Sequence, residues 1–207
     1  MTSAAVVVPV KAFTAAKVRL AGTLEPAERA DLARRMAEVV LAAAPPLPAI
    51  VVCDDNEVRA WAEAAGARVV WCPGRGLNGA VADGVAALRA DGVPMAVVAH
   101  ADLPLATRLD WVAEFPGVTL VPDRRLDGTN VLAVPTEVGF RFSYGAGSFA
   151  RHRAQARMRD LPARIVRDDC LAWDVDLPAD LAWPTSVGRD APSRGVAQVR
   201  SGREAWA

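Results

Sequence analysis

Lysine is almost missing from this chain. Its 207 residues include 24 basic ones, yet only Lys11 and Lys17 are lysines, and both fall in one short loop. Cysteine is scarce as well: Cys53, Cys72 and Cys170 are odd in number, far apart and without CxxC spacing. That excludes a disulfide scaffold and a cysteine-based zinc site, and it fits a reducing cytoplasm. No apolar run approaches the ~20 residues of a spanning helix. The apolar start has no basic region before it and is interrupted by Lys11, so no secretory leader is expected. Net charge is absent too, at a formal zero, which removes any global field toward nucleic acid or an anionic membrane. There is no G-x-S-x-G elbow, so combining Ser143 or Ser148 with His100 or His152 and an aspartate into a hydrolase triad has little support.

What the chain has is apolar mass, 52% of its residues, arranged in alternating short runs. Valine-rich segments at 4–10, 49–53, 67–71, 95–99, 118–121, 131–134 and 163–166 have strand length. Helical spacing is found at 25–44, 57–65, 78–90, 109–115 and 148–160. Asp54 or Asp55 can cap the second helix, and Gly66 can close it. Strands apolar throughout and separated by helices imply one α/β domain: a mostly parallel central sheet with helices on both faces. In such a sheet ligands bind outside the carboxyl ends of the strands, where the winding reverses. The domain is expected to span 1–184. Residues 185–207, rich in Ser, Gly, Arg and Pro, are expected to form a mobile tail.

The residues that follow the strands therefore carry most of the chemistry. Lys11 and Lys17 follow the first strand, and a lysine's compact charge on a flexible stem suits a phosphate oxygen; a solvated basic turn is the plain alternative. Gly74, Gly76 and Gly79 match the G-x-G-x-x-G dinucleotide fingerprint, with Asp102 downstream. Cys72 and Pro73 separate this run from its strand, however. A simple strand-to-helix turn and a loop that approaches a nucleobase, with the Asn78 amide reading its edge, remain equally open. In His100-Ala101-Asp102-Leu103-Pro104, Asp102 can hold Mg²⁺ or cap a turn. Asp174 and Asp176, two apart, share one face of an extended segment and repel unless a cation lies between them; Asp176 can also cap a helix from Pro178. Two small polar loops, around Thr129 and from Ser143 to Ser148, flank an apolar strand. The second opens a basic helix bearing Arg151 and His152, so its N–H groups suit a phosphate or carboxylate.

Taken in register, PVKAFTAAKVRL, GLNGA, HADLP, DGTNVL, FSYGAGSFARH and DVDLPADL make residues 5–182 resemble the 2-phospho-L-lactate / phosphoenolpyruvate guanylyltransferase family of coenzyme F-420 biosynthesis. The resemblance implies a GT-A-like (Rossmann-like) nucleotidyltransferase fold, GTP and Mg²⁺. It also implies a reaction in which the phosphate of a three-carbon phospho-acid displaces pyrophosphate from GTP. The acceptor would be phosphoenolpyruvate, 2-phospho-L-lactate or 3-phosphoglycerate. By the same resemblance Thr129, Gly145 and Ser148 bind the phospho-acid. Asp102 and Asp176 hold magnesium, with Asp174 as a possible helper. Lys11, Lys17 and Arg19 bind the GTP phosphates, with Lys11, Lys17 and Asp102 catalytic, and Gly76 and Asn78 lie against the guanosine. The chain lacks the LxGGxGxR turn that many nucleotidyltransferases carry after the first strand, and the lysine loop stands in its place. The alternatives are an NAD-binding oxidoreductase using the Gly74 to Gly79 run, a cytidylyl- or molybdopterin-type nucleotidyltransferase, and a non-catalytic nucleotide-binding module. A cytoplasmic enzyme without nucleic-acid or membrane partners is expected.

Overall fold

Valine-rich runs that cannot be divided into a wet and a dry face must be covered on both. The computed structural model, which describes residues 3–182 and the backbone of 195–199, shows this for β1 (Ala5–Pro9), β2 (Ala49–Cys53) and β4 (Met95–Ala99). Side chains alternate along β1. Val6 and Val8 join a cluster containing Ala33, Ala37 and Val40 of α1 (Pro26–Ala42) and Val58 and Ala62 of α2 (Asn56–Ala64). Ala5 and Val7 join the opposite cluster, with Val81, Val85 and Leu88 of α3 (Gly76–Ala90) and Phe149 and Ala156 of α4 (Ser148–Met158). Asp55 caps α2 by accepting from the Val58 N–H at 3.0 Å.

The remaining strands are β3 (Arg68–Trp71), β5 (Val118–Pro122), β6 (Thr129–Pro135), β7 (Ala163–Arg167) and β8 (Gly195–Val199). All eight form one sheet in the order β3-β2-β1-β4-β6-β5-β7-β8. The chain winds outward from β1 to β3, then returns to place β4 on the other side of β1. The winding therefore reverses between β1 and β4, and their carboxyl ends flank the crevice. β6 lies antiparallel to both β4 and β5, with Ala99 opposite Val131. Its reversal brings the start of a strand, Thr129, to the same edge as the ends of β1 and β4.

The lysine loop is two 3-10 turns, Phe13–Ala15 and Val18–Leu20. The helix expected at 109–115 is a 3-10 turn, Asp110–Glu114, cut short by Pro116. Of the stretch expected as a tail, 185–207, the described part is the backbone of β8, which pairs antiparallel with β7; the rest lies outside the described residues. No helix among the described residues is long and apolar enough to cross a membrane.

Helix α3 seats very close to the sheet because Gly84 has no side chain. A Cβ there would lie 2.6 Å from Val52 Cγ1 and 2.9 Å from Val7 Cγ1. Gly84→Ala should therefore lower stability by ~1–3 kcal/mol through overpacking, even though alanine favours a helix by up to ~1 kcal/mol. Urea denaturation measures this, and an unchanged or higher midpoint would show that α3 does not seat so closely.

Candidate functional site

The crevice at the strand ends holds a buried cation between two carboxylates. Lys17 Nζ lies 2.6 Å from Asp102 Oδ2 and 3.2 Å from Asp176 Oδ1, and Arg19 Nη1 reaches Asp176 Oδ2 at 3.4 Å. Asp102 follows β4, whereas Lys17 follows β1 in a left-handed backbone conformation (φ 53°, ψ 39°) that a lysine adopts at some cost. A small apolar cluster of Leu20, Leu32, Met36 and Val175 packs the lysine loop and the aspartate segment onto α1. The Val175 N–H also donates to the Asp102 carbonyl at 3.2 Å. Asp180, buried, fixes the same segment. Its Oδ2 accepts from the Asp176 and Leu177 N–H groups, while its Oδ1 takes the guanidinium groups of Arg124 and Arg125 at 2.6 and 2.8 Å.

These contacts set the charges. Burial would push the Lys17 ammonium down, but Asp102 and Asp176 outweigh it and hold its pKa above the usual lysine value. Burial likewise works against Asp102, yet Lys17 and then His100 hold its carboxyl below the usual range. Asp174 has no such cation. Burial, with Asp102 and Asp176 nearby, pushes it up to about 6. Asp102 Oδ1 and Asp174 Oδ1 are buried without a hydrogen-bond partner. Among the described residues no group of three or more His, Cys, Asp or Glu side chains is placed to hold a metal ion by itself.

Lys11, Lys17, Arg19, Gly76, Asp102, Gly145 and Asp176 all line one cavity of about 680 Å³. Lys17 is in contact with both aspartates, so its charge is already engaged. Lys11 is exposed and has no ion-pair partner among the described residues. Asn78 is directed elsewhere: its Oδ1 accepts from the Tyr144 N–H at 2.6 Å, and it lines a separate hollow with Phe142 and Arg151. The amide proposed to read a base edge instead fastens α3 to the loop before α4. The glycine run follows edge strand β3 rather than a strand at the reversal, and Arg75 within it forms a two-point ion pair with Asp83.

At the other end of the cavity the two polar loops meet. Gly145 (φ 111°) and Gly147 (φ 71°) take backbone conformations that need glycine, turning the chain into α4. Gly147 is the N-cap, and the Ser148 side chain makes a sideways contact: Ser148 Oγ accepts from the Thr129 N–H at 3.0 Å. The Asp127 carboxylate accepts from the Gly147 N–H at 3.0 Å, so one anion already sits at the helix start. The N–H groups of Gly145 and Ala146 have no protein acceptor among the described residues. Arg151 is spent on the carbonyls of Ser143, Gly145 and Ala146, bracing the turn.

Sequence reasoning missed several residues. Asp180 was detectable as an acid three positions after Leu177, at the start of a short helical turn. Asp123, which accepts from the N–H groups of Asp127 and Gly128, had no distinguishing signal. His152 is wholly buried and engages Thr129 Oγ1 at 3.0 Å and the Ser143 N–H at 2.9 Å, so it forms no triad with a serine hydroxyl.

Comparison with known proteins agrees with this architecture. Residues 4–194 match the family model described as "Guanylyl transferase CofC like". A phosphoenolpyruvate guanylyltransferase of Sphaerobacter thermophilus is 42% identical over 95% of this chain and 100% of its own length. A 3-phospho-D-glycerate guanylyltransferase of Phenylobacterium zucineum is 36% identical over 94% of each. Among solved structures, a nucleotidyl transferase from Methanothermobacter superposes with a TM-score of 0.61 at 17% identity, covering 87% of this chain and 95% of that one. A Desulfovibrio desulfuricans structure described as a nucleotide-diphospho-sugar transferase gives 0.70 at 16% identity, covering 87% and 85%. The fold is thus that of nucleotidyltransferases, and the chain belongs to the CofC-like guanylyl transferase family.

Proposed function

We propose that this enzyme joins GMP from GTP to the phosphate of a three-carbon phospho-acid, phosphoenolpyruvate first among the candidates, as a cytoplasmic step of coenzyme F-420 assembly. The carrying observation is a single cavity that has Lys17, Asp102 and Asp176 at one end and the Gly145 turn, backed by Thr129 and Ser148, at the other. The names of the relatives support the donor and acceptor classes.

In the reaction a phosphate oxygen of the acceptor bonds to the α-phosphorus of GTP, and the bond from that phosphorus to the bridging oxygen breaks, so that pyrophosphate leaves. The nucleophile is already an anion, and no side chain needs to take a proton. What the chain must do is hold two mutually repelling anions in line. Lys11 and Arg19, at the cavity wall, bind triphosphate oxygens. Gly145 and Ala146 N–H groups and the hydroxyls of Thr129 and Ser148 hold the phospho-acid, and Gly76 lies against the nucleoside. The unpartnered Oδ1 of Asp102 and the Asp176 carboxylate, which share one ammonium, offer two oxygen ligands, and Mg²⁺ usually takes one or two carboxylates together with substrate phosphates. Bound there by Asp102 and Asp176, with Asp174 in support, the ion would supply charge neutralisation at the phosphates. Lys17 neutralises those carboxylates, and a metal ion held by them would share that role and leave the ammonium available to a phosphate oxygen.

Pyrophosphate release with GTP and each of phosphoenolpyruvate, 2-phospho-L-lactate and 3-phosphoglycerate tests the reading. Release with none of them, or thermal stabilisation by NAD alone, overturns it. Asp102→Asn should lower turnover by roughly 100-fold or more while GTP binding changes little; near wild-type turnover in saturating Mg²⁺ would remove Asp102 from the site. Ser148→Ala should raise the KM for the phospho-acid about tenfold and leave that for GTP nearly unchanged, as loss of one charge-assisted hydrogen bond predicts. Lys17→Met should lower the melting temperature and make it rise more with added Mg²⁺ than wild type does. An equal Mg²⁺ response in both would show that Lys17 and the ion do not share the carboxylates.

A further inference from the structure

Two hydroxyls at the acceptor end each accept one hydrogen bond from the protein and keep their protons to give. Ser148 Oγ accepts from the Thr129 N–H at 3.0 Å. Thr129 Oγ1 lies 3.0 Å from His152 Nδ1. The direction of this second bond follows from the opposite side of the ring. The Ser143 N–H, a donor only, points at His152 Nε2 at 2.9 Å, so Nε2 carries no proton. In the neutral ring the proton is then on Nδ1, and His152 donates to Thr129. With its oxygen already accepting, the Thr129 hydroxyl has its own hydrogen left to give. His152 is fully buried, held at 5.8 Å from the ring of Phe140 and 4.8 Å from that of Tyr144, so it cannot swing to another partner.

We propose that His152 is a positioning residue for the acceptor: it fixes the Thr129 hydroxyl as a donor, and so selects an anionic group, the carboxylate or phosphate of the phospho-acid, at that point. This rests on the reading of Thr129 as an acceptor-binding residue. A hydroxyl free to rotate could equally offer a lone pair and would accept a hydroxyl or amide ligand. A hydroxyl that already accepts one bond from behind has its hydrogen and a single lone pair left, which favours donation, and Ser148 beside it is in the same position. The two bonds of His152 also tie strand β6 to the loop preceding α4, so the two halves of the acceptor site keep one spacing.

The two ring nitrogens can be replaced separately. An asparagine amide falls near Nδ1 and a glutamine amide near Nε2. His152→Asn keeps a donor for Thr129, while His152→Gln keeps the Ser143 contact and loses the one to Thr129. The expected result is that His152→Gln raises the KM for the phospho-acid about threefold to tenfold, the effect of one lost hydrogen bond. The KM for GTP should stay within about twofold, and His152→Asn should stay near wild type. If His152→Gln fails to fold, His152→Phe, which refills the space beside Phe140 and Tyr144, carries the same expectation. Equal KM changes for both substrates, a larger defect in His152→Asn than in His152→Gln, or no change in any variant would overturn the proposal. Thr129→Val separates this from the underlying reading. If it leaves the KM for the phospho-acid unchanged, Thr129 is not an acceptor residue and both fall; if it raises that KM while the His152 variants do not, only the role of His152 falls.

Discussion

A buried ammonium between two carboxylates is the contact on which the crevice depends. Asp102 and Asp176 reach it from segments far apart in the chain, and without a cation their charges would drive those segments apart. Asp174, which forms no ion pair among the described residues, shows the opposite balance: burial, with Asp102 and Asp176 nearby, pushes its carboxyl up to about 6. The apolar cluster of Leu20, Met36 and Val175 supplies the attraction that the charges do not, pressing both arms onto α1. Asp180 then holds the aspartate segment from behind with two backbone N–H groups and two arginines. Its own carboxyl stays far below the usual range: burial opposes this, but those N–H groups and guanidinium groups outweigh it. The site is thus a strained set of like charges inside a frame rigid enough to keep it in place.

The reversed strand β6 supplies the second half. A purely parallel sheet would bring only strand ends to the crevice, and each would need a loop long enough to reach the neighbouring site. Running β6 backwards places Thr129, a strand start, beside the end of β4, and the Asn130 carbonyl accepts from the His100 N–H there. The turn into α4 then lies next to it, and Ser148 and His152 are brought against Thr129 by the first turns of one helix. Strand order thus brings Asp102, after β4, and Thr129, at the start of β6, to the same edge of the sheet.

Much of this was legible in the residues. Runs of valine bounded by turn residues located β1 to β7 but not β8, and the split of alternate side chains between two apolar clusters follows from their period of two. Glycines before α4 marked the turn into that helix. Strand direction was not legible, because a run buried on both faces carries no mark of polarity. The contact of Lys17 with Asp102 was not legible either, since it spans 85 positions and depends on β1 and β4 being neighbours. Asn78 misled for a related reason. An amide at the start of a helix looks equally ready for a base edge or a backbone, and only the tertiary position of Tyr144 decides between them.

The scarcity of lysine now has a physical sense. Arginine serves in this structure wherever a fixed brace is needed. Arg124 and Arg125 share the Asp180 carboxylate, Arg151 spans three carbonyls of the acceptor turn, and Arg164 joins Thr119 to the Trp111 carbonyl. A planar fork with several donors suits such sites because each bond holds the next in place. The crevice presents the opposite case: one compact ammonium meets two carboxylates at once, with Lys17 Nζ 2.6 Å from Asp102 and 3.2 Å from Asp176, a point-charge contact that a planar fork does not reproduce.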